Sequence, residues 1–143
     1  MTLRYLLDTT AVSAPISTVP DRQTIKKLMQ YGHECAIAAP VWHELLYGAA
    51  RLPEGKRKTA VEAYLRDVVE PSFEILPYGE IAGGWHAQER ARLEGLGKPA
   101  PFVDGQIAAI ACVNELILVT TNVKDFAGYK DLIIEDWSKP RRS

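Results

Sequence analysis

Short apolar runs alternate with longer amphipathic segments along this chain. Five runs are predicted as strands, at residues 3–7, 35–38, 73–76, 117–119 and 131–135. Helical spacing of apolar positions predicts five long helices, at residues 21–31, 40–52, 56–69, 80–96 and from 102 onward. Strands that alternate with helices in this way predict an α/β fold, with a mainly parallel sheet covered by helices on both sides.

Two acids flank the apolar run at residues 117–119. Asp104 lies in the first turn of the helix that precedes this run, and an apolar stripe leads away from it through Ile107 and Ala111. The run itself is continuously apolar, as expected for a strand that is covered on both faces. A polar turn with Asp125 follows. Because ligands of open α/β sheets bind at the carboxyl ends of the strands, we expect both acids near one edge of the sheet.

Two further acids are candidates for the same edge. Asp8 directly follows the first predicted strand, where it either caps the next helix or joins a site at the strand end. Glu44 lies beside the apolar stripe that Val41 and Leu45 form on the predicted helix at residues 40–52. An acid in that position is either solvated or points inward as a ligand. The residues alone leave both pairs of alternatives open.

The predicted helix at residues 80–96 has an apolar face and a charged face. Ile81 and Trp85 belong to the apolar face. The other face carries Glu89 together with arginines, and such a mixture of charges is typical of solvent exposure. His86 is interpreted as a structural residue.

The composition is that of one ordinary globular domain. The chain has 143 residues, of which 47% are hydrophobic and 24% charged, so we expect a single domain over residues 1–143 with a mobile tail at about 138–143. Cys35 and Cys112 lie far apart without metal-type spacing, which favours buried free thiols in a reducing compartment. The chain shows no signal peptide and no apolar run of membrane-spanning length, so we expect a cytoplasmic protein without a membrane partner.

The charge balance excludes a chain that is basic throughout. The formal net charge is −1, which still allows a local basic surface. Arg51, Lys56 and Arg57 form such a cluster around the start of the predicted helix at residues 56–69. The cluster is either a solvated helix start or a surface that contacts the phosphates of a nucleic acid.

The candidate acids define a specific chemistry if they meet. Carboxylates crowded into one pocket repel each other, and a divalent cation removes that conflict. Oxygen ligands select Mg²⁺ or Mn²⁺ over zinc, and such an ion retains a water that can act as a nucleophile on a phosphodiester. Thr9, Thr120 and Asn122 are suited to hydrogen bonds that orient the carboxylates. No serine-protease triad pattern, zinc-protease motif or phosphate-binding glycine loop competes with this interpretation.

Four local motifs carry a resemblance to a known family. LLDT, WHELLYGA, DGQIAAIA and LVTTNVKDF resemble, in the same order, the motifs of PIN-domain ribonucleases, in particular the VapC-like toxins of toxin–antitoxin pairs. The resemblance extends to the ending Ile134-Glu135-Asp136-Trp137. It implies a three-layer α/β/α fold, Mg²⁺-dependent endoribonuclease activity that Mn²⁺ can support, a homodimer, and inhibition by a cognate antitoxin whose tail enters the active site.

The resemblance also implies roles for individual residues. Asp8 and Asp104 match the main metal-binding aspartates of the family, Glu44 matches its helix glutamate, and Thr120 matches the hydroxyl residue after the fourth strand. Two positions depart from the family pattern. Thr10 replaces an asparagine that often follows the first strand. Asn122 occupies a position where the last acid can fall, so that Asp125 takes its place from three residues away.

The resulting hypothesis is hydrolysis of RNA by a metal-activated water. Asp8 and Asp104 hold the ion, Glu44 binds it or orients the water, and Asp125 completes the negative pocket. The cations expected to guide the RNA phosphates are Arg51, Lys56 and Arg57.

Two alternatives remain. One is a phosphatase that uses Asp8 as a nucleophile to form an aspartyl-phosphate, although Thr10 stands where such enzymes carry a second acid. The other is a non-catalytic binding module that has kept a PIN-like fold and lost the chemistry.

Overall fold

The computed structural model describes residues 2–138, so most of the predicted tail at residues 138–143 lies outside the described part. A five-stranded parallel sheet forms its centre, and helices connect the strands. The strands are β1 (Tyr5–Leu7), β2 (Cys35–Ala38), β3 (Glu74–Leu76), β4 (Ile117–Val119) and β5 (Ile134–Glu135). The α-helices are α1 (Thr9–Val12), α2 (Arg22–Tyr31), α3 (Ala39–Ala50), α4 (Lys56–Tyr64), α5 (Glu70–Ser72), α6 (Glu80–Gly95), α7 (Phe102–Val113) and α8 (Val123–Phe126).

The strand order places a topological switch point beside β1. The order across the sheet is β3-β2-β1-β4-β5, and every pair is parallel. The chain leaves β1 towards β2 on one side, and β4 later pairs with β1 on the other side. Adjacent parallel strands whose connections diverge leave a crevice at their carboxyl ends, and ligands of α/β proteins bind there. In this protein the crevice lies where β1 and β4 end.

The core lies on both faces of the central strands. All residues of β1 and β2 are buried, which explains why their sequences are continuously apolar rather than alternating. The stripe of α7 from Ile107 to Ala111 is at most 4% exposed. Trp137 packs edge-on against Tyr5 with ring centroids 5.1 Å apart, so the segment after β5 closes one side of the sheet.

Several predicted boundaries change in the structure. The first and last strands are shorter than predicted, since only Tyr5–Leu7 and Ile134–Glu135 are paired. Asp131, predicted as the start of the last strand, has φ of +66° and belongs to a turn. The predicted helix at residues 56–69 continues beyond α4 as a π-helical turn at Leu65–Val69. Of the two cysteines expected to be buried, Cys35 is buried, whereas Cys112 is only partly buried; both are free thiols.

The predicted faces of α6 are partly wrong. Ile81, assigned to the apolar face, is 76% exposed, whereas Glu89, assigned to the solvent, is 7% exposed. Both carboxylate oxygens of Glu89 accept hydrogen bonds at 2.8 Å from Arg92, and one also accepts the backbone N–H of Lys130. A buried carboxylate is tolerated because these donors satisfy it. Arg92 also donates to the carbonyl of Gly128, so this pair fastens the segment after α8 to α6.

Among residues 2–138, no helix is both long enough and apolar enough to cross a membrane.

Candidate active site

Asp8 lies at the switch point, at the carboxyl end of β1. Its backbone N–H donates to the carbonyl of Val119 at 2.9 Å, which joins the ends of β1 and β4. The side chain caps α1: Oδ1 accepts the backbone N–H of Thr9 at 2.8 Å. Oδ2 accepts the hydroxyl of Thr120, also at 2.8 Å. Of the two roles that the sequence left open, the cap is therefore present, and it does not prevent Asp8 from facing the strand end.

Thr120 connects Asp8 to the turn after β4. Its hydroxyl is buried, donates to Asp8, and accepts the backbone N–H of Asn122 at 3.0 Å. Of the three residues expected to orient the carboxylates, Thr120 takes part through its side-chain hydroxyl. Thr9 and Asn122 take part through their backbone N–H groups and not through their side chains. Thr10 contacts the same turn, since its hydroxyl lies 3.5 Å from that of Thr121.

Asp104 lies within the electrostatic reach of both Asp8 and Asp125. Asp104 lies half-buried in the first turn of α7, and Asp125 is exposed on α8. Burial raises the pKa of Asp104, and the charges of Asp125 and Asp8 raise it further. Carboxylates that lie close together raise one another's pKa, and a bound cation lowers it again. Such a group is therefore a candidate functional site. We call these three residues the carboxylate edge.

Glu44 lies beside the carboxylate edge without joining its charges. It lines one cavity together with Thr9 and a second with Val103 and Gln106, so α3 delivers it between the start of α1 and the start of α7. Its side chain is 47% exposed and lies 3.9 Å from the imidazole Nδ1 of His43. Glu44 is not among the charges that raise the pKa of Asp104.

The donor set of the carboxylate edge suits a cation that keeps part of its water shell. Within residues 2–138, no three His, Cys, Asp or Glu side chains are close enough together to form a complete metal cage. Mg²⁺ is usually held by one or two carboxylates, with waters and substrate phosphates as its other ligands. Two aspartates such as Asp8 and Asp104 would offer such a pair of oxygen ligands, so the residues fit Mg²⁺ with retained water and do not resemble a closed structural metal site.

The predicted basic cluster is only partly gathered at the site. Arg57 lines a cavity of about 370 Å³ together with Thr9 and Glu44. Arg51 instead stacks its guanidinium over the ring of Tyr47 at 4.8 Å, and Lys56 is exposed at the first turn of α4. Of the three cations, Arg57 is therefore the one that the structure brings next to the candidate site.

Gly105, directly after Asp104, makes a contact that the sequence did not reveal. A Cβ at this position would lie 2.1 Å from Nε2 of His86, so only glycine fits. The imidazole is buried and lies 2.8 Å from the hydroxyl of Tyr78 through Nδ1, and burial lowers the pKa of His86. The structural role predicted for His86 thus includes fixing the helix turn that carries Asp104. A glycine inside a helix next to a candidate ligand was the available signal.

Tyr129 is a second residue that the sequence did not indicate. It is 6% exposed, and its hydroxyl is a buried polar atom without a hydrogen-bond partner among the described residues. Burial raises its pKa to about 12, with further contributions from the charges of Asp104 and Glu89. The charges of Asp104 in the carboxylate edge and of Glu89 in α6 therefore both act on Tyr129.

Comparison with known proteins identifies the family. The family model described as "PIN domain" matches residues 5–132, which is most of the chain. The chain belongs to the PIN-domain family. The three-layer fold expected from the resemblance is confirmed by the solved structures that superpose on this chain.

Two curated relatives and one solved structure illustrate how far the similarity extends. The tRNA(fMet)-specific endonuclease VapC of Shigella flexneri is 31% identical over 95% of this chain and 99% of its own length. Toxin FitB of Neisseria gonorrhoeae (strain ATCC 700825 / FA 1090) is 30% identical over 92% of this chain and 97% of its own. The crystal structure of DNA-bound VapBC from Salmonella typhimurium superposes with a TM-score of 0.82 at 28% identity, covering 95% and 99% of the two chains.

Proposed function

We propose that this PIN domain is a metal-dependent endoribonuclease that acts as the toxin of a toxin–antitoxin pair. The supporting relatives are named as an endonuclease, a toxin and a VapBC complex, and they align over nearly the full length of both chains. The observation that carries the proposal is the carboxylate edge at the switch point. There Asp8 is fixed by Thr120, and the charges of Asp8 and Asp125 both act on Asp104.

PIN-domain nucleases generally depend on a divalent metal, and we propose Mg²⁺ for this chain, with Mn²⁺ as a substitute. Asp8 and Asp104 would hold the ion. When bound, the ion lowers the pKa of a water and stabilises the charge that develops on the phosphate. The bond from Thr120 keeps one oxygen of Asp8 oriented, and burial around Asp104 strengthens its interaction with a cation.

The remaining predicted residues have supporting roles in this proposal. Glu44 adjoins both Thr9 and the start of α7, from where a change of rotamer directs its carboxylate to the ion or to the attacking water. Asp125 is exposed and contributes charge rather than direct coordination. Arg57 meets an RNA phosphate beside Glu44, while Arg51 and Lys56 extend the basic surface away from the site.

The proposed partners are a cognate antitoxin, the RNA substrate and a second copy of the chain. Neutralisation by an antitoxin is supported by the similarity to Toxin FitB and to the VapBC complex. The homodimer is an expectation from the resemblance, and sedimentation at several protein concentrations measures it directly.

The direct test of the enzymatic proposal is cleavage of RNA by the purified protein and its Asp104→Asn variant. We expect the wild type to cleave in Mg²⁺ and to stop when EDTA is added, with activity restored by Mn²⁺. Asp104→Asn preserves the size of the side chain but removes a charge that holds the ion, so we expect a loss of at least about 100-fold in rate.

Matched controls separate this proposal from the alternatives. Asp67→Asn, an exposed acid paired with Arg66 on the π-helical turn, should cleave at the wild-type rate. A protein that binds RNA but never cleaves it would support a non-catalytic module. A phosphorylated Asp8 recovered after incubation with a phosphate ester would support the phosphatase.

A further inference from the structure

A second cavity adjoins the carboxylate edge on the side of Asp125. Its volume is about 520 Å³, within the range of sites that hold small organic groups. Lys98, Lys124, Asp125 and Tyr129 line it, and we call it the lysine cavity. Neither Glu44 nor Arg57 lines it, so it is distinct from the cavity beside α1.

Part of the lysine cavity is apolar, and we call this part its floor. Leu93 from the end of α6, Ala100 and Pro101 from the segment before α7, and the largely covered Tyr129 contribute to it. The backbone N–H of Lys98 donates to the carbonyl of Leu93 at 2.9 Å, which holds the two walls together. Unstacked RNA bases bind to surfaces of this kind, because every base has an apolar face.

Two cations border the cavity. The side chains of Lys98 and Lys124 are exposed, and neither forms an ion pair with any residue that the structure describes. By contrast, the nearby guanidinium of Arg92 is already occupied by Glu89. An ammonium group without a carboxylate partner is suited to bind a phosphate as a point charge.

We propose that the lysine cavity binds one nucleotide of the RNA, adjacent to the phosphodiester at the carboxylate edge. Asp125 belongs to both the lysine cavity and the carboxylate edge, so an occupant of the cavity is next to the reacting phosphate. The base lies on the apolar floor and the two lysines contact its phosphates, where they also offset the repulsion from Asp125. This inference rests on the ribonuclease function proposed above and adds a second subsite to it.

Tyr129 borders the cavity with most of its surface covered, since the residue is 6% exposed and its hydroxyl is buried. No described residue accepts a hydrogen bond from that hydroxyl. The carboxylates of an acidic protein segment would match the two lysines as well, so the lysines alone do not select the occupant. The nucleotide is favoured because the cavity shares Asp125 with the edge where the RNA phosphodiester reacts in the proposed function, so the next nucleotide of the same strand reaches the cavity.

The test measures RNA binding in the Asp104→Asn background, where cleavage does not interfere. The probe is a fluorescein-labelled, 12-nucleotide single-stranded RNA of mixed sequence, followed by anisotropy at several KCl concentrations. In Lys98→Ala/Lys124→Ala we expect Kd to rise at least tenfold. The slope of log K against log salt should become shallower by about 1.4, since each lost phosphate contact on a single strand accounts for about 0.7.

Two matched variants distinguish the parts of the site. Arg22→Ala/Lys26→Ala removes two exposed cations from α2, which does not line the cavity, and should leave Kd within twofold. Ala127→Trp fills the cavity from the end of α8 without changing the charge. It should raise Kd with an unchanged salt slope, since it excludes the base but keeps the phosphate contacts.

The outcomes separate this proposal from the ribonuclease function. If wild-type protein cleaves RNA but the lysine and tryptophan variants bind RNA like their parent, the cavity proposal is wrong and the function stands. If a poly-glutamate peptide binds in a lysine-dependent manner while RNA binding is unaffected, the cavity holds a protein segment and the proposal is also wrong. A wild type that neither binds nor cleaves RNA overturns both.

Discussion

Asp8 shows how a single strand-end residue becomes part of a site. Its backbone links β1 to β4 through Val119, and its two carboxylate oxygens accept from Thr9 and Thr120. Thr120 lies 112 residues from Asp8 along the chain. The completed fold therefore sets the orientation of the carboxylate before any ligand binds. Such preorganisation matters because a catalytic group must be held close to its productive geometry.

Thr120→Val tests this orientation. The change removes a buried donor to Asp8 and the acceptor for Asn122 while keeping the shape of the side chain. We expect the free energy of unfolding to fall by about 1.5–3 kcal/mol. We expect the rate of RNA cleavage to fall as well. Urea denaturation and a cleavage assay measure the two effects.

Two comparison variants complete that experiment. Thr120→Ser keeps the hydroxyl and should retain most of the activity. Thr121→Val, at an exposed neighbour, should change stability by no more than about 0.5 kcal/mol. Wild-type activity in Thr120→Val would show that the bond to Asp8 has no part in catalysis.

At the scale of elements, the packing of α7 on α6 positions Asp104. The contact is close because Gly105 leaves room for the imidazole of His86, which in turn pairs with Tyr78. Helix α7 therefore cannot shift along α6 without displacing that ring. Asp104 is the residue directly before Gly105, so the position of Asp104 depends on this contact.

Gly105→Ala is expected to destabilise the protein through this contact. The added methyl overlaps the ring of His86, and overpacking of this kind costs about 1–3 kcal/mol. His86→Ala removes the ring that the methyl would overlap. The loss in free energy of unfolding of the double variant should therefore be smaller than the sum of the two single losses, by at least about 1 kcal/mol. Chemical denaturation of all four proteins gives this coupling energy.

Gly84→Ala is the matched control for that cycle. Gly84 lies inside α6 and a Cβ there meets no atom within 4 Å, so alanine should stabilise the helix by about 0.5–1 kcal/mol. Additive effects of Gly105→Ala and His86→Ala would contradict the proposed contact.

The buried acid of α6 gives a prediction about pH. Hydrogen bonds from Arg92, followed by the backbone N–H of Lys130 and the charge of Arg92, hold the pKa of Glu89 below its usual value of 4.5. A depressed folded-state pKa stabilises the fold above the unfolded pKa, and this stabilisation is lost as pH falls through the folded value. Glu89→Gln should therefore be less stable than wild type at pH 7, by about 2 kcal/mol.

The same comparison at acid pH provides the check. As pH falls below the usual pKa of 4.5, the unfolded chain binds a proton at Glu89 before the folded protein does, so the difference in free energy of unfolding between the two proteins should shrink progressively. A difference that is the same at pH 7 and pH 3 would mean that packing, and not the ionised carboxylate, accounts for the effect.

The sequence could predict the positions of some site residues because strand ends have fixed places in a parallel sheet. Asp8 and Asp104 were located from an apolar strand and a helix start, which are local patterns. Glu89 was assigned to the wrong face because its burial depends on the Lys130 backbone and on an arginine that also reaches Gly128. Contacts across such sequence distances leave no periodic signal. For the same reason the sequence did not show the lysine cavity.

At the scale of the whole molecule, the sheet order determines what the protein can bind. The order β3-β2-β1-β4-β5 opens a crevice between the ends of β1 and β4, where Asp8 lies, and the charges of Asp8 and Asp125 act there on Asp104. The result is a concentration of negative charge, with cations on two sides, in a chain whose net charge is only −1. A divalent ion in this crevice would allow a phosphate to approach carboxylates that otherwise repel it.

Titration of Mn²⁺ into RNA-free protein by calorimetry tests the central claim most directly. We predict that the wild type binds Mn²⁺, that Asp104→Asn weakens the affinity at least tenfold, and that Asp67→Asn, which removes an acid far from the crevice in sequence, stays within twofold of wild type. Circular dichroism of the three proteins verifies that each is folded. Equal Mn²⁺ affinity in all three, or no binding by the wild type, would contradict the assignment of a cation site to the carboxylate edge.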